Sequence, residues 1–423
     1  MKNPINAPGR KEQLYVGASI VALSGGLFLL FFENARFATE PQSNSLAQIM
    51  SAPALLYAAF NLLLRPSLLL TVVWRNPLPI ILCLLCVCSV TWSIDPTGTA
   101  RRSIILTGLT LFSYCLCIRF DASQLVRVLC YSFIAISVIG LAGALLLPGT
   151  AIHQDQHHPA IRGFFAQKNI AGRVLLLGII CGMITAVSVR RSRILAIFTV
   201  ATCTLAVIAS LSATALLDLL IVLAVFSMAL LWRRLHRSTM IFAGLLAILV
   251  VPWAIYIAYE HVLLKLIATT GRDITLTGRT LIWAELFSQV RESSPLLGFG
   301  YEAFWTADNG GAATTRWIGL GPYVPPQAHN GLIHALTALG LVGAALCIYS
   351  TFKLIAMSAK CLSLGDDATS ALGVMGVTFS AYFFVINIAE NEFLTYNSIV
   401  WCLFVSLYVY TAKAITQMNR EER

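Results

Sequence analysis

The sequence predicts an all-α, polytopic membrane protein with about twelve transmembrane helices and one large loop, carrying an amphipathic helix, between spans nine and ten. Three observations predict it. Of 423 residues, 58% are hydrophobic and only 11% charged, against roughly 25% charged in a soluble domain. Apolar runs long enough to cross a bilayer follow one another from Leu14 to Ile415. No stretch between them has the composition of a soluble domain, so residues 1–423 read as a single integral membrane domain. A spanning helix needs about 20 mostly apolar residues because its backbone polar groups must be satisfied within the segment.

The spans fall at 14–32, 46–64, 76–92, 102–118, 125–147, 170–189, 194–211, 213–231, 239–258, 331–352, 369–387 and 397–415. Pro77 and Pro79 open the third, the shortest. The first run has no small-residue cleavage site after it and reads as a span, not a signal peptide. With the N-terminus inside, 18 of the 29 Lys and Arg residues fall on inner segments, Arg190–Arg193 and Trp232–Arg237 among them. That bias follows the positive-inside rule and places both termini in the cytoplasm. The net charge of +10 is scattered between apolar runs, so nucleic acid is not the expected partner. Ten of eleven cysteines lie inside spans and Cys361 in an inner loop, which excludes a disulfide framework. No Cys/His spacing suits a metal, and no cofactor is expected.

Two outer segments are substantial, 148–169 and 259–330. The second holds Ile282, Trp283, Leu286, Phe287 and Val290 at helical spacing, with Thr277 able to cap the start. An amphipathic helix over 277–291 on the outer membrane face is the expectation. Cations on the outer side (Arg162 and Lys168 in the first segment, Arg272 and Arg279 in the second) call for an anionic ligand such as a lipid phosphate, pyrophosphate or acidic sugar. The alternative for Arg279 is a side chain snorkelling to headgroups. In the first turn of a helix it adds a bidentate guanidinium to N–H groups already suited to phosphate.

His329 and Asn330 stand where the long loop re-enters the membrane, and an imidazole is the natural general base at neutral pH. His334, five residues on, reads as packing. His153, His157 and His158 with Asp155 form a weak metal candidate. Asp218 is an ionisable residue inside span eight, and Arg173 is the partner the sequence suggests for it. Glu390 and Glu392, in the last outer loop, either position a sugar or are solvated.

Several motifs resemble a known family. Arg162-Gly163-Phe164-Phe165 with Lys168-Asn169, Thr277-Gly278-Arg279 with Trp283, and Pro295 to Gly300 with Phe304 come in order. Ala328-His329-Asn330 then leads into Leu339-Gly340-Leu341-Val342-Gly343. Together they resemble the O-antigen ligase and polysaccharide polymerase superfamily. Trp92-Ser93-Ile94-Asp95-Pro96 and Glu392 to Asn397 add a likeness to ExoQ-type exopolysaccharide polymerases.

The resemblance implies a GT-C-like, metal-independent glycosyltransferase of the bacterial inner membrane with a periplasmic site. Its donor is an oligosaccharide on undecaprenyl pyrophosphate and its acceptor a glycan hydroxyl; membrane lipids, a chain-length regulator and a flippase are the implied partners. His329 matches the catalytic histidine and Arg279 the arginine that holds the leaving pyrophosphate. Arg162, Lys168, Arg272, Arg173, Asn330, Glu390 and Glu392 complete the expected substrate-binding set. Ligases of the superfamily often carry a Ser-Arg pair where Leu211-Ser212-Ala213-Thr214-Ala215 stands here. The second arginine is missing from that place, and Arg162, Lys168 or Arg173 is expected to replace it. A polymerase is the first reading, a ligase the alternative, and a transporter the reading from another class. Against the transporter stand the absence of an internal repeat and a polar constellation at the outer face instead of the midplane.

Overall fold

The computed structural model describes residues 7–31, 49–153, 159–188, 192–233, 279–305 and 327–421. Almost all regular structure in it is helical. In chain order the helices of ten residues or more are α1 (Arg10–Leu23), α2 (Ala52–Leu64), α3 (Pro66–Arg75), α4 (Leu78–Cys88), α5 (Pro96–Arg119), α6 (Ala122–Leu146), α7 (Lys168–Ser188), α8 (Arg193–Ala209), α9 (Ala213–Trp232), α10 (Arg279–Ser293), α11 (Gly331–Leu364), α12 (Asp367–Ala389) and α13 (Ile399–Glu421). A minimal antiparallel pair, β1 (Ile152–His153) and β2 (Ala160–Ile161), closes the loop after α6.

Seven of these helices (α5, α6, α7, α9, α11, α12 and α13) are long and apolar enough to cross a membrane, and α2 with α3 makes an eighth if that bent pair is one span. Helix α13 lies at the centre, with every residue from Ile399 to Thr411 buried. A helix apolar on all faces must be enclosed by others. It packs against α5 and α11, while α7, α8 and α6 form one side of the bundle and α9, α11 and α12 the other.

The helices depart from the sequence expectations in particular places. The first apolar window, 14–32, breaks after Leu23 into a turn at Ser24–Leu27, where Gly25 takes φ +71°. Residues 65–75, expected as an inner loop, form α3, set at 106° to α2 across Arg65. Pro66 causes this: without an N–H it cannot continue α2 but suits the first turn of a new helix. Helix α11 runs to Leu364, past the expected end at 352, so Cys361 is a buried helical residue and not a loop cysteine. The window 239–258 lies outside the described residues.

Helix α11 is interrupted at Gly340 (φ 64°, ψ −163°), and the interruption is filled by the Pro295–Gly300 turn. Phe299 N–H and Gly300 N–H donate to the carbonyls of Thr337 and Ala338 at 3.0 Å each. Leu341 N–H and Val342 N–H donate to Pro295 and Leu296 at 2.9 and 3.2 Å. The turn thus replaces the helical hydrogen bonds that the break removes, as a buried break requires. The approach is close enough that a Cβ on Gly340 would lie 2.2 Å from the Leu296 carbonyl carbon.

The turn is held from its other side by the segment before α5 and by the first turn of that helix. Trp92 Nε1 donates to Leu297 O (3.0 Å), Ile94 N–H to Phe299 O (3.0 Å) and Thr99 Oγ1 to Tyr301 O (2.8 Å). The two glycine motifs and the Trp92–Pro96 motif are therefore one structural device. Gly340→Ala should lose more than about 1 kcal/mol from backbone strain alone and displace the turn. A fall in thermal midpoint of the detergent-solubilised protein checks this.

Candidate functional site

Four elements meet at one end of the bundle: the start of α10, the start of α11, the C-terminus of α12 and the start of α7. The last turn of α12 has carbonyls with no intrahelical donor. Two side chains take them. Arg279 Nη1 donates to Ala389 O at 2.9 Å, and Asn330 Nδ2 donates to Ile388 O at 3.3 Å. A cation at a helix C-terminus is also favoured by the macrodipole. Asn330 serves both helices, since its Oδ1 accepts from Leu332 N–H and Ile333 N–H at 3.1 Å and so caps α11.

His329 stands one residue before that cap with φ 49°, a left-handed backbone that His adopts more readily than most residues. Its Nδ1 lies 3.4 Å from Glu390 Oε2, in contact but not aligned for a short hydrogen bond. The same oxygen accepts from Gln327 Nε2 at 3.2 Å and faces Arg173 Nη1 at 3.9 Å. Arg173 Nε lies 3.1 Å from Glu392 Oε1, and Glu392 Oε2 accepts from Ser398 Oγ at 2.6 Å. The order is therefore His329, Glu390, Arg173, Glu392, a continuous chain of alternating sign when the imidazole is protonated. A cavity of about 60 Å³ adjoins its far end, lined by Arg173, Glu392, Asn397 and Ser398 among others.

Burial pushes the Glu390 carboxyl up, but the His329 contact and the charges of Arg173 and Arg279 outweigh it and hold the group below the usual carboxylate range. Glu392, at 1% side-chain exposure, goes the other way. There burial dominates, against Arg173 and the Ser398 hydroxyl.

Helix α10 covers this end. It begins at Arg279 and buries Ile282, Leu286 and Val290 of the predicted stripe, while Trp283 is half-buried and Phe287 is exposed. Ile282 and Leu286 pack on Phe304, Ala328 and Ile333. Trp283 Nε1 donates to Ala328 O at 2.8 Å, one residue before His329. Its apolar stripe thus packs on the turn and on α11 within the protein. The predicted Thr277 cap lies outside the described residues.

The other expected residues fall into three groups. Arg162 is buried in the loop after α6, donating to Thr150 O and Ala166 O at 3.1 Å each, with His153 Nδ1 at 3.5 Å. Lys168 opens α7, five residues before Arg173. Arg272, Asp155, His157 and His158 lie outside the described residues.

Three expectations are corrected. Arg173 pairs with Glu392 and Glu390, not with Asp218, whose carboxylate oxygens have no hydrogen-bond partner among the described residues. Nor are Glu390 and Glu392 solvated: their side chains are 12% and 1% exposed. His334, read as packing, forms a second buried pair, its Nε2 3.0 Å from Glu302 Oε1 and its ring stacked on Trp305 at 6.0 Å. Glu302 follows the Pro295–Gly300 turn, so this pair ties the turn to α11. The acidic residue directly after Gly298-Phe299-Gly300-Tyr301 was the signal available in the sequence.

A multi-pass helical membrane protein with a His–Glu–Arg–Glu chain, half-buried at the histidine and buried at its far end, is the class that fold and site define. Residues 198–348 match the family model Wzy_C, described as O-Antigen ligase. The matched segment includes Arg279, Glu302, His329 and the Gly340 break. The chain is also 31% identical over 127 residues to the exopolysaccharide production protein ExoQ of Rhizobium meliloti (strain 1021). That match covers 30% of this chain and 28% of the relative. Both findings support the resemblance to the O-antigen ligase and polysaccharide polymerase superfamily.

Proposed function

We propose that this protein is a polymerase that transfers glycan repeat units from undecaprenyl pyrophosphate to an acceptor sugar hydroxyl, building an exopolysaccharide or O-antigen. The observation that carries the reading is the convergence of His329, Asn330 and Arg279 on the C-terminus of α12. A base, a helix cap and a guanidinium suited to a phosphate oxygen thereby share one site. The acceptor oxygen attacks the anomeric carbon of the donor, the bond from that carbon to the pyrophosphate oxygen breaks, and the pyrophosphate leaves with the electron pair. His329 takes the hydroxyl proton. Arg279 stabilises the leaving anion, and no metal is needed for the charge balance.

Arg173 is our candidate for the missing second arginine. It follows Gly172, whose Cβ position would touch Ala215 at 2.5 Å and Ser212 at 3.4 Å. It therefore adjoins the stretch where ligases of the superfamily often carry theirs. We place Arg162, Lys168 and Arg272 in the same cationic vestibule, at the periplasmic face of a twelve-span inner-membrane protein with both termini in the cytoplasm. A flippase and a chain-length regulator are its expected partners.

Arg279→Lys should lower transfer by roughly 10²-fold, because lysine keeps the charge but loses the fork that matches a phosphate. Full activity in that variant would leave Arg279 only a point-charge role.

The matched family's description as an O-antigen ligase favours a second reading, transfer of finished glycan to lipid A core or protein. Cells lacking the gene separate the two. Single repeat units on the surface acceptor mean a polymerase has been lost. Long chains stranded on the carrier lipid mean a ligase has.

A further inference from the structure

We propose that Glu390 is the positioning carboxylate of His329, holding the proton on Nδ1 so that the Nε2 lone pair faces the acceptor hydroxyl. The inference rests on His329 being the base and assigns Glu390 a role other than contact with sugar.

The argument begins with what the oxygen nearest His329 already does. Glu390 Oε2 has His329 Nδ1 at 3.4 Å, Gln327 Nε2 at 3.2 Å and Arg173 Nη1 at 3.9 Å. Gln327 is hydrogen-bonded to it, and His329 and Arg173 stand at ion-pair distance, so protein groups crowd the face of that oxygen. An ionised carboxylate can only accept hydrogen bonds. An imidazole nitrogen that hydrogen-bonds to one carries the hydrogen, and in the neutral ring the other nitrogen then holds the lone pair. The depressed Glu390 titration described above is consistent with an ionised partner at neutral pH.

Both members of the pair are fixed through the backbone. Glu390 is the C-cap of α12, and its N–H donates to Ile386 O at 2.8 Å. His329 adjoins the N-cap of α11, and Asn330 binds the two helix ends together through Ile388 O. Arg279 adds a second tie through Ala389 O. The left-handed backbone at His329 is thus held by both neighbouring helices, the condition under which such conformations persist at functional sites. Behind Glu390, Arg173 is anchored by Glu392, which Ser398 in turn holds.

The 3.4 Å separation is long for a catalytic hydrogen bond. Such contacts commonly tighten only when substrate is bound. During transfer the acceptor proton moves to Nε2, and the imidazolium that forms is stabilised by Glu390, which remains ionised throughout.

The test uses the purified full-length protein, a synthetic undecaprenyl-pyrophosphate oligosaccharide, and the variants Glu390→Gln, Glu390→Asp, His329→Ala and Glu390→Gln/His329→Ala. The glutamine variant should lose kcat on the order of 10²-fold, with KM for the lipid-linked donor within experimental scatter of wild type and a modest fall in thermal midpoint, because Arg173 keeps Glu392 as its partner. The aspartate variant, which keeps the charge, should recover part of that loss. The double variant should be no slower than His329→Ala alone, because groups acting as a unit are not additive. Wild-type turnover in Glu390→Gln while His329→Ala is inactive would overturn the inference and leave the base assignment standing. So would a loss confined to KM, the signature of a substrate contact, or losses that add in the double variant. Turnover surviving His329→Ala would overturn the base assignment and this inference with it. Should Glu390→Gln fail to fold, the kcat of Glu390→Asp decides: a loss in kcat at unchanged KM supports positioning, and a loss in KM contradicts it.

Discussion

His329→Ala is expected to lower glycan transfer by about 10³-fold while the protein still inserts and purifies as wild type does. General-base catalysis contributes typically 10²–10⁴-fold, and little else should change. The side chain is 22% exposed, and Glu390 is its one polar contact among the described residues. The helix cap at Asn330 and the Trp283 bond to Ala328 both remain. Alanine tolerates the left-handed backbone at this position less well than histidine does. His329→Asn, which accepts that backbone more readily, is therefore the control. It should be as inactive as alanine, with a thermal midpoint closer to wild type. Activity in either variant above about a tenth of wild type would mean that the acceptor proton goes elsewhere.

Arg173→Ala is expected to have the largest effect on folding. Its guanidinium lies between Glu390 and Glu392, and all three side chains are largely buried. Removing one partner of a buried pair leaves its charge uncompensated, at a cost of about 3–5 kcal/mol. Two carboxylates are stranded here instead of one. Low yield, a lowered thermal midpoint and aggregation after detergent extraction are the expected observations. Adding Glu392→Gln to Arg173→Ala should recover part of the loss, because it removes the more deeply buried of the two carboxyls. Stability equal to wild type in the single variant would show that these contacts contribute little and that Arg173 is held by something else.

The helices were legible because a bilayer demands long apolar runs, and such runs form α5, α6, α7, α9, α11, α12 and α13. What the runs did not reveal were their interruptions. Gly340 sits in a stretch whose hydropathy continues smoothly, and only the separate Pro295–Gly300 turn explains why the helix opens there. Pro66 carried a visible signal, yet residues 65–75 read as a loop because two arginines bracket them.

The site divides in the same way. The placement of His329, Asn330 and Arg279 at helix starts was legible from the sequence. The partner of Arg173 was not, because Asp218 was the nearest acid by span while Glu390 and Glu392 lie more than 200 residues away in sequence. The Glu302–His334 pair was missed for a related reason. The segment that carries Glu302 is brought to α11 by the Gly340 break and by packing on Ile333, contacts that no local spacing encodes.

The measurement closest to the central claim is transfer in vitro. Purified protein is incubated with a synthetic undecaprenyl-pyrophosphate oligosaccharide in the presence of EDTA, beside His329→Ala. A ladder of extended lipid-linked glycans from wild type alone is the predicted result and establishes a metal-independent polymerase that depends on His329. No ladder with this donor, and none when a lipid A core acceptor is added, would contradict the account and favour transport over transfer.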